Sequence, residues 1–255
     1  MTRSRPVFAR LFSWLRTCLM ALGLGLAAAP AAADLSEADT DQLRAMVRAY
    51  LLENPEVIIE ALEIHQARQE ELQAAKAQAN LVHLYGTLTG DRRDPVMGNP
   101  DGDVTIVEFL DYQCGFCKRV AKDLFQVVED DGNIRLVLKE FPILGATSTF
   151  AARAALAAGR QGLYTPLHKA LLAHRGRLSE SVVKQIAREI GADLTRLERD
   201  MDDTAVTTHL DSIQSTAQRL GVRGTPAFVI GMEIIPGAID AAAIKAKIKA
   251  IRDGS

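Results

Sequence analysis

The 255-residue sequence predicts an α/β domain that carries an inserted helical domain and an N-terminal helical extension. Three observations predict it. Strand-like apolar runs lie on both sides of a long helical stretch, Thr147 to Leu220. Helical periodicity precedes the first of those runs. At the junction of the run Val104 to Leu110 with a helical pattern, Lys118 to Glu129, sits the sequence Cys114-Gly115-Phe116-Cys117.

The first 33 residues read as a secretory signal peptide. Arg3, Arg5, Arg10 and Arg16 precede an apolar stretch, Cys18 to Ala29, that closes on Ala31-Ala32-Ala33. That stretch is shorter than the roughly 20 apolar residues that span a bilayer, so cleavage after Ala33 is expected in preference to anchoring. Export to the periplasm follows, and Cys18 leaves with the leader. The remaining chain then holds one cysteine pair, and 26 basic residues against 32 acidic ones give a net charge of −6. Neither nucleic acid nor an anionic membrane surface is an expected partner.

Residues 34–90 form the helical extension. Leu43, Met46, Val47, Tyr50 and Leu51 recur at helical spacing, and Asn54-Pro55-Glu56 starts a second helix with a cap and a proline at its first turn. No breaker follows before Gly86, and apolar residues thin out between Gln66 and Gln78, which marks a solvated stretch of helix. Five exposed apolar side chains on the first helix predict self-association.

A loop rich in Asp, Gly and Pro, 90–103, opens the second domain, residues 91–255. Val104 to Leu110 is too continuously apolar for an edge strand and is expected at the centre of a sheet. Glu108 interrupts it. Either this carboxyl is buried, with its pKa raised toward proton exchange with Cys117, or it reaches solvent at the strand end. Ile134 to Phe141 is a second strand, ended by Pro142; the insertion, about 145–220, is helical throughout, and His168, His174 and His209 within it are assigned no chemistry. The chain returns to strand at Gly224-Thr225-Pro226-Ala227-Phe228-Val229-Ile230, turns near Gly231, and closes with a helix from Asp240 to Ile251.

A helix start is where a thiolate is favoured, because unpaired N–H groups and the positive dipole end face the sulfur; such cysteines titrate at roughly 3.5–7.5 in place of about 8.5. Cys114 is therefore the expected exposed nucleophile. Cys117, three residues further on, can resolve a mixed disulfide that Cys114 has formed. A purely structural bridge this short would constrain almost nothing. A zinc site lacks partners, since His168 and His174 are six apart and do not fit the usual ligand spacing. Redox chemistry is the reading that remains, without cofactor or metal; copper(I) capture by the same two soft thiolates is the competing one.

Strand, Cys-x-x-Cys at a helix start, strand, helical insertion, then Thr-Pro before two strands and a helix resembles the thioredoxin fold and, within it, the DsbA family. The resemblance runs from about Pro95 to the C-terminus. It rests on Glu108, Cys114-Gly115-Phe116-Cys117, Phe141-Pro142 and Gly224-Thr225-Pro226. It implies that Cys114 attacks substrate, Cys117 resolves, Glu108 moves protons, and Pro226 is cis beside the sulfurs. Thr225 would offer its backbone to an extended client, with Gly115 and Phe116 beside it. The long N-terminal helices and the Gly-Phe dipeptide depart from the oxidase DsbA, which has Pro-His there. They are similar to the copper-sensitivity-suppressor branch and to disulfide isomerases, which oligomerise through N-terminal segments. The implied protein is a periplasmic thiol-disulfide oxidoreductase, isomerase or oxidase. Its implied partners are unfolded or misoxidised secreted proteins, a membrane redox partner and further copies of itself.

Overall fold

The computed structural model describes residues 36–254; the expected signal segment, 1–33, lies outside them. The chain divides after Leu62 into two compact units.

In the first unit, helix α1 spans Glu37–Glu53. Ser36 caps it: its hydroxyl accepts the Asp39 N–H at 3.2 Å while the Asp39 carboxylate reaches back to the Ser36 N–H, so two otherwise orphaned donors are satisfied. Asn54 ends the helix, and helix α2, Glu56–Gly90, begins beyond Pro55. No residue of α1 is buried. Leu43, Met46, Val47 and Tyr50 of α1 and Ile58, Ile59 and Leu62 of α2 all stand exposed.

The second unit takes in the rest of α2 and everything after it. Its frame is a sheet of β1 (Val96–Gly98), β2 (Val104–Leu110), β3 (Ile134–Glu140), β4 (Ala227–Ile230) and β5 (Glu233–Pro236), in spatial order β1-β3-β2-β4-β5. Strands β2 and β3 are parallel, and every other pairing is antiparallel. The central position expected for Val104 to Leu110 is the one it holds. All but one residue in each of β2 and β3 are buried, because helices cover both faces.

Those faces carry two separate cores. On one, Ile106 and Leu110 of β2 and Leu136 and Leu138 of β3 pack with helices α3 (Gly115–Asp131), α4 (Ala146–Gly159), α5 (Tyr164–Ala173), α6 (Glu180–Glu189), α7 (Leu194–Met201) and α9 (Ala241–Arg252). On the other, Val107, Phe109, Val137 and Val229 meet Leu81 and Leu88 of α2 and Ile213 and Ala217 of α8 (Thr204–Arg219). The helical insertion is thus shared between layers: α4–α7 cover one face and α8 crosses to the other. Alanine at 151, 154, 155, 157 and 158 lets α4 pack closely on its neighbours. Strand β1 lies within the stretch read above as loop. It is three residues long, too short to show any periodicity, and it exists because β3 offers an edge to pair with.

Candidate active site

Cys114 is the N-cap of α3, with an extended backbone, and its sulfur accepts the Cys117 N–H at 3.5 Å. The strand-to-helix junction therefore puts one sulfur at the first turn's free N–H groups, where negative charge is favoured. That sulfur also lies 3.1 Å from the carbonyl oxygen of Thr225, to which its thiol donates, and the Thr225–Pro226 peptide is cis. The Pro226 carbonyl is taken by the Gly237 N–H at 2.9 Å, which fixes the loop against the end of β5. Cys114 is buried, 6% exposed, where the sequence reading has it exposed; its sulfur packs against the Thr225 carbonyl. Cys117 lies deeper, at 0%. Both are free thiols. Gly115 and Phe116, between them, are exposed; Phe116 carries the Arg119 guanidinium 4.0 Å over its ring.

Glu108 is enclosed in the core within electrostatic reach of Cys117, and both its oxygens lack a hydrogen-bond partner. Burial, and then the neighbouring carboxyl of Glu140, push it up to about 8. Burial and then Glu108 push the Cys117 thiol far above its ordinary value. Burial thus keeps the Cys117 thiol protonated and raises the Glu108 carboxyl toward neutrality, an arrangement that can pass a proton between them.

Several groups around this pair escape a reading of the sequence. Asp111 is buried just after β2. One of its oxygens accepts the Gln113 N–H at 2.8 Å and the Ser148 hydroxyl at 2.7 Å, the other the N–H groups of Ile143 and Leu144 at 2.9 and 3.0 Å. It ties the turn before Cys114 to the segment after β3 and to α4. Glu140 ends β3 fully buried, bonded to two tyrosines that come from separate places in the chain. A carboxylate inside an apolar strand was the signal available for Glu140, the same signal that marks Glu108.

Residues 105–249 match the DSBA-like thioredoxin domain. The chain belongs to the DSBA-like thioredoxin family. Within the same chain, residues 39–71 match the copper resistance protein ScsC N-terminal domain. Among solved structures, a thioredoxin-like oxidoreductase from Silicibacter pomeroyi DSS-3 is 44% identical; the match covers 67% of this chain and 98% of that one, with a TM-score of 0.65. A linker-deletion mutant of Proteus mirabilis ScsC is 26% identical, covers 88% of this chain and 100% of that one, and has a TM-score of 0.67. The thiol-disulfide exchange protein α-DsbA2 of Wolbachia pipientis is 30% identical over 69% of this chain and 95% of that one, with a TM-score of 0.64. The structural likeness to the DsbA family thus extends, through ScsC, into the N-terminal helices. The curated relatives include a Na(+)/H(+) antiporter NhaA 1 of Salinispora arenicola, 30% identical over 158 residues. This DSBA-family chain spans about a quarter, 24%, of that relative's length.

Proposed function

We propose that this protein is a periplasmic thiol-disulfide oxidoreductase that acts on the cysteines of secreted proteins, and that reshuffling of wrong disulfides is its principal activity. The observation that carries the reading is the placement of Cys114 Sγ at the cap of α3, 3.1 Å from the Thr225 carbonyl beside a cis proline, with Cys117 enclosed behind it.

The chemistry follows from that placement. The Cys114 thiolate attacks one sulfur of a client disulfide; a new S–S bond forms to Cys114, the old one breaks, and the other client sulfur leaves as a thiolate. An extended client lies along Thr225, and contact through backbone makes recognition independent of client sequence. Two exits are then open. A client thiolate attacks the mixed disulfide and leaves with a rearranged pairing and the dithiol enzyme restored. Otherwise Glu108 takes the Cys117 proton, and the Cys117 thiolate attacks Cys114 Sγ; the client departs reduced and the enzyme is left oxidised, to be reset by a membrane redox partner. Gly115 and Phe116 flank the client, with Phe116 as an exposed apolar contact.

The exposed apolar stripe of α1 and the start of α2 supports self-association of the protein through residues 34–62, which places several Cys114 sulfurs around one client. A 530 Å3 groove within this unit is lined by Leu43, Val47, Leu51, Leu52 and Ile58 together with Arg44 and Arg48. Burial of such side chains contributes about 1.5–3 kcal/mol each.

The match of residues 39–71 to a domain named for copper resistance keeps copper(I) capture by Cys114 and Cys117 as the second reading. One experiment separates the two. The protein, present at about one-twentieth of a scrambled disulfide substrate, is expected to restore that substrate's activity over many turnovers in a glutathione buffer. Stoichiometric copper(I) uptake with no turnover would overturn the oxidoreductase reading.

A further inference from the structure

Glu140 has a setting unlike any other acid among the described residues. It is the last residue of β3 and faces the same side of the sheet as Glu108: Glu140 is registered against Leu110, and Glu108 against Leu138, one same-face step apart on adjacent parallel strands. Its Oε1 accepts hydrogen bonds from Tyr112 Oη and Tyr164 Oη, both at 2.6 Å. Tyr112 Oη is also 2.8 Å from His168 Nδ1, and the Tyr164 ring stacks on His168 at a 5.3 Å centroid distance. Glu140 Oε2, both Glu108 oxygens and His168 Nε2 have no partner. Four titratable atoms without a partner in one enclosure next to a redox cysteine make this cluster a candidate for proton chemistry.

Two carboxyl groups in one apolar enclosure cannot both carry charge without large cost. Their surroundings separate them. Two tyrosine hydroxyls donate to Glu140 and favour its carboxylate, whereas nothing donates to Glu108. The proton released first therefore leaves Glu140, and the charge it leaves behind holds the remaining proton on Glu108. The other titratable groups here are Asp111 after β2, Cys114 and Cys117 on α3, and His168 with its neighbour Lys169 on α5. Burial pushes His168 down to about 3, so it is neutral and supplies no cation; because Tyr112 gives its one hydroxyl proton to Glu140, the His168 Nδ1–H donates to Tyr112 Oη.

We propose that Glu140, clasped by Tyr112 and Tyr164, is a positioning residue that sets when Glu108 is free to take the proton of Cys117, and so sets the pH range in which a mixed disulfide is resolved. The proposal rests on the reading of Glu108 as the proton acceptor for Cys117. In the step itself, the Cys117 S–H proton passes to the Glu108 carboxylate, the Cys117 thiolate attacks Cys114 Sγ, and the outgoing thiolate takes its proton from solvent.

The test follows that step alone. Dithiobis(nitrobenzoate) mixed with the reduced protein releases one thionitrobenzoate as Cys114 is captured and a second as Cys117 attacks; the second rate is recorded from about pH 5 to 9. In wild type this rate rises with pH as Glu108 loses its proton. Glu140→Gln, which keeps the oxygen that accepts from the tyrosines but removes the charge, is expected to move the midpoint down by about one pH unit. The double variant Tyr112→Phe, Tyr164→Phe is expected to move it the same way, because Glu140 then keeps its own proton; it answers the question if Glu140→Gln does not fold. Either variant, folded but with an unmoved midpoint, overturns the proposal. Glu108→Gln distinguishes the two failures. If it abolishes the pH-dependent limb while Glu140→Gln leaves the midpoint in place, only the positioning role falls. If it leaves the limb intact, the reading of Glu108 itself is wrong.

Discussion

Glu108 and His168 give the protein a pH dependence of opposite signs. Burial raises Glu108 from 4.5, and Glu140 from 4.5, to about 8 each. The folded state then binds more protons than the unfolded one above about pH 4.5, so stability falls as pH rises toward 8. His168, pushed down from 6.5 to about 3, binds fewer protons when folded, and its contribution is lost as pH falls below about 6.5. Between about pH 6.5 and 8 only the glutamates of this cluster act. Urea unfolding is expected to show a loss on the order of 2–4 kcal/mol across that window in wild type, and a flatter profile in Glu108→Gln. A profile identical in the two would show that Glu108 is ionised in the folded state. Glu108→Gln is also expected to slow Cys117 attack about a hundredfold, the usual worth of a positioned general base, with Cys114 capture at its normal rate. Glu108 was legible as a lone acid in an apolar run, yet the sequence left its burial open. Packing decides that, since α3 and the insertion close over this face of β2. Glu140 carried the same signal within the strand read from Ile134 to Phe141, but at its end, where a carboxyl ordinarily reaches solvent. Its tyrosine partners lie 28 and 24 residues away, beyond any local pattern.

The α3 N-terminus is held in place from outside the helix. Asp111 accepts four hydrogen bonds that join the end of β2, the chain after β3 and α4 into one clasp. Asp111→Ala would leave three backbone N–H groups, from Gln113, Ile143 and Leu144, and the Ser148 hydroxyl without their shared acceptor. A loss of about 2–4 kcal/mol in denaturant unfolding is expected, together with slower capture by Cys114 as the turn loosens. Unchanged stability would mean that solvent replaces the carboxylate. A second buried polar cluster, Asp94 paired with Lys139 of β3 and lying 3.1 Å from His209 Nε2 of α8, sits in the opposite layer. Nothing in the spacing of 94, 139 and 209 announces it. The major elements of the catalytic unit were readable because each has its own period or cap: α3, α6, α7 and α9 begin at Cys114, Ser179, Asp193 and Asp240, whose side chains accept the N–H groups of the first turn. The crossing of α8 to the other face was not readable, because periodicity shows that a helix has an apolar side and does not show which sheet face receives it.

The whole molecule combines a redox unit with an N-terminal unit that exposes its apolar residues. Deletion of residues 34–62 removes that stripe and leaves the cysteines, the proline loop and the sheet intact. Light scattering after size exclusion is expected to show the full chain as an oligomer and the deletion as a monomer. Reshuffling of scrambled substrate should fall at least about tenfold, while reduction of a small disulfide stays within about twofold. A full chain that is monomeric at tens of micromolar would remove self-association from the mechanism. So would a deletion that keeps full reshuffling activity.

The central claim is that Cys114 is the sulfur that engages client proteins and Cys117 the one that releases them. Capture in a periplasmic extract by variants that lack one sulfur tests it most directly. Cys117→Ala is expected to accumulate mixed disulfides with many proteins, all linked through Cys114 by mass spectrometry and all released by dithiothreitol. Cys114→Ala is expected to accumulate none. Adducts on Cys117 in the second variant, or no adducts in the first, would contradict the claim.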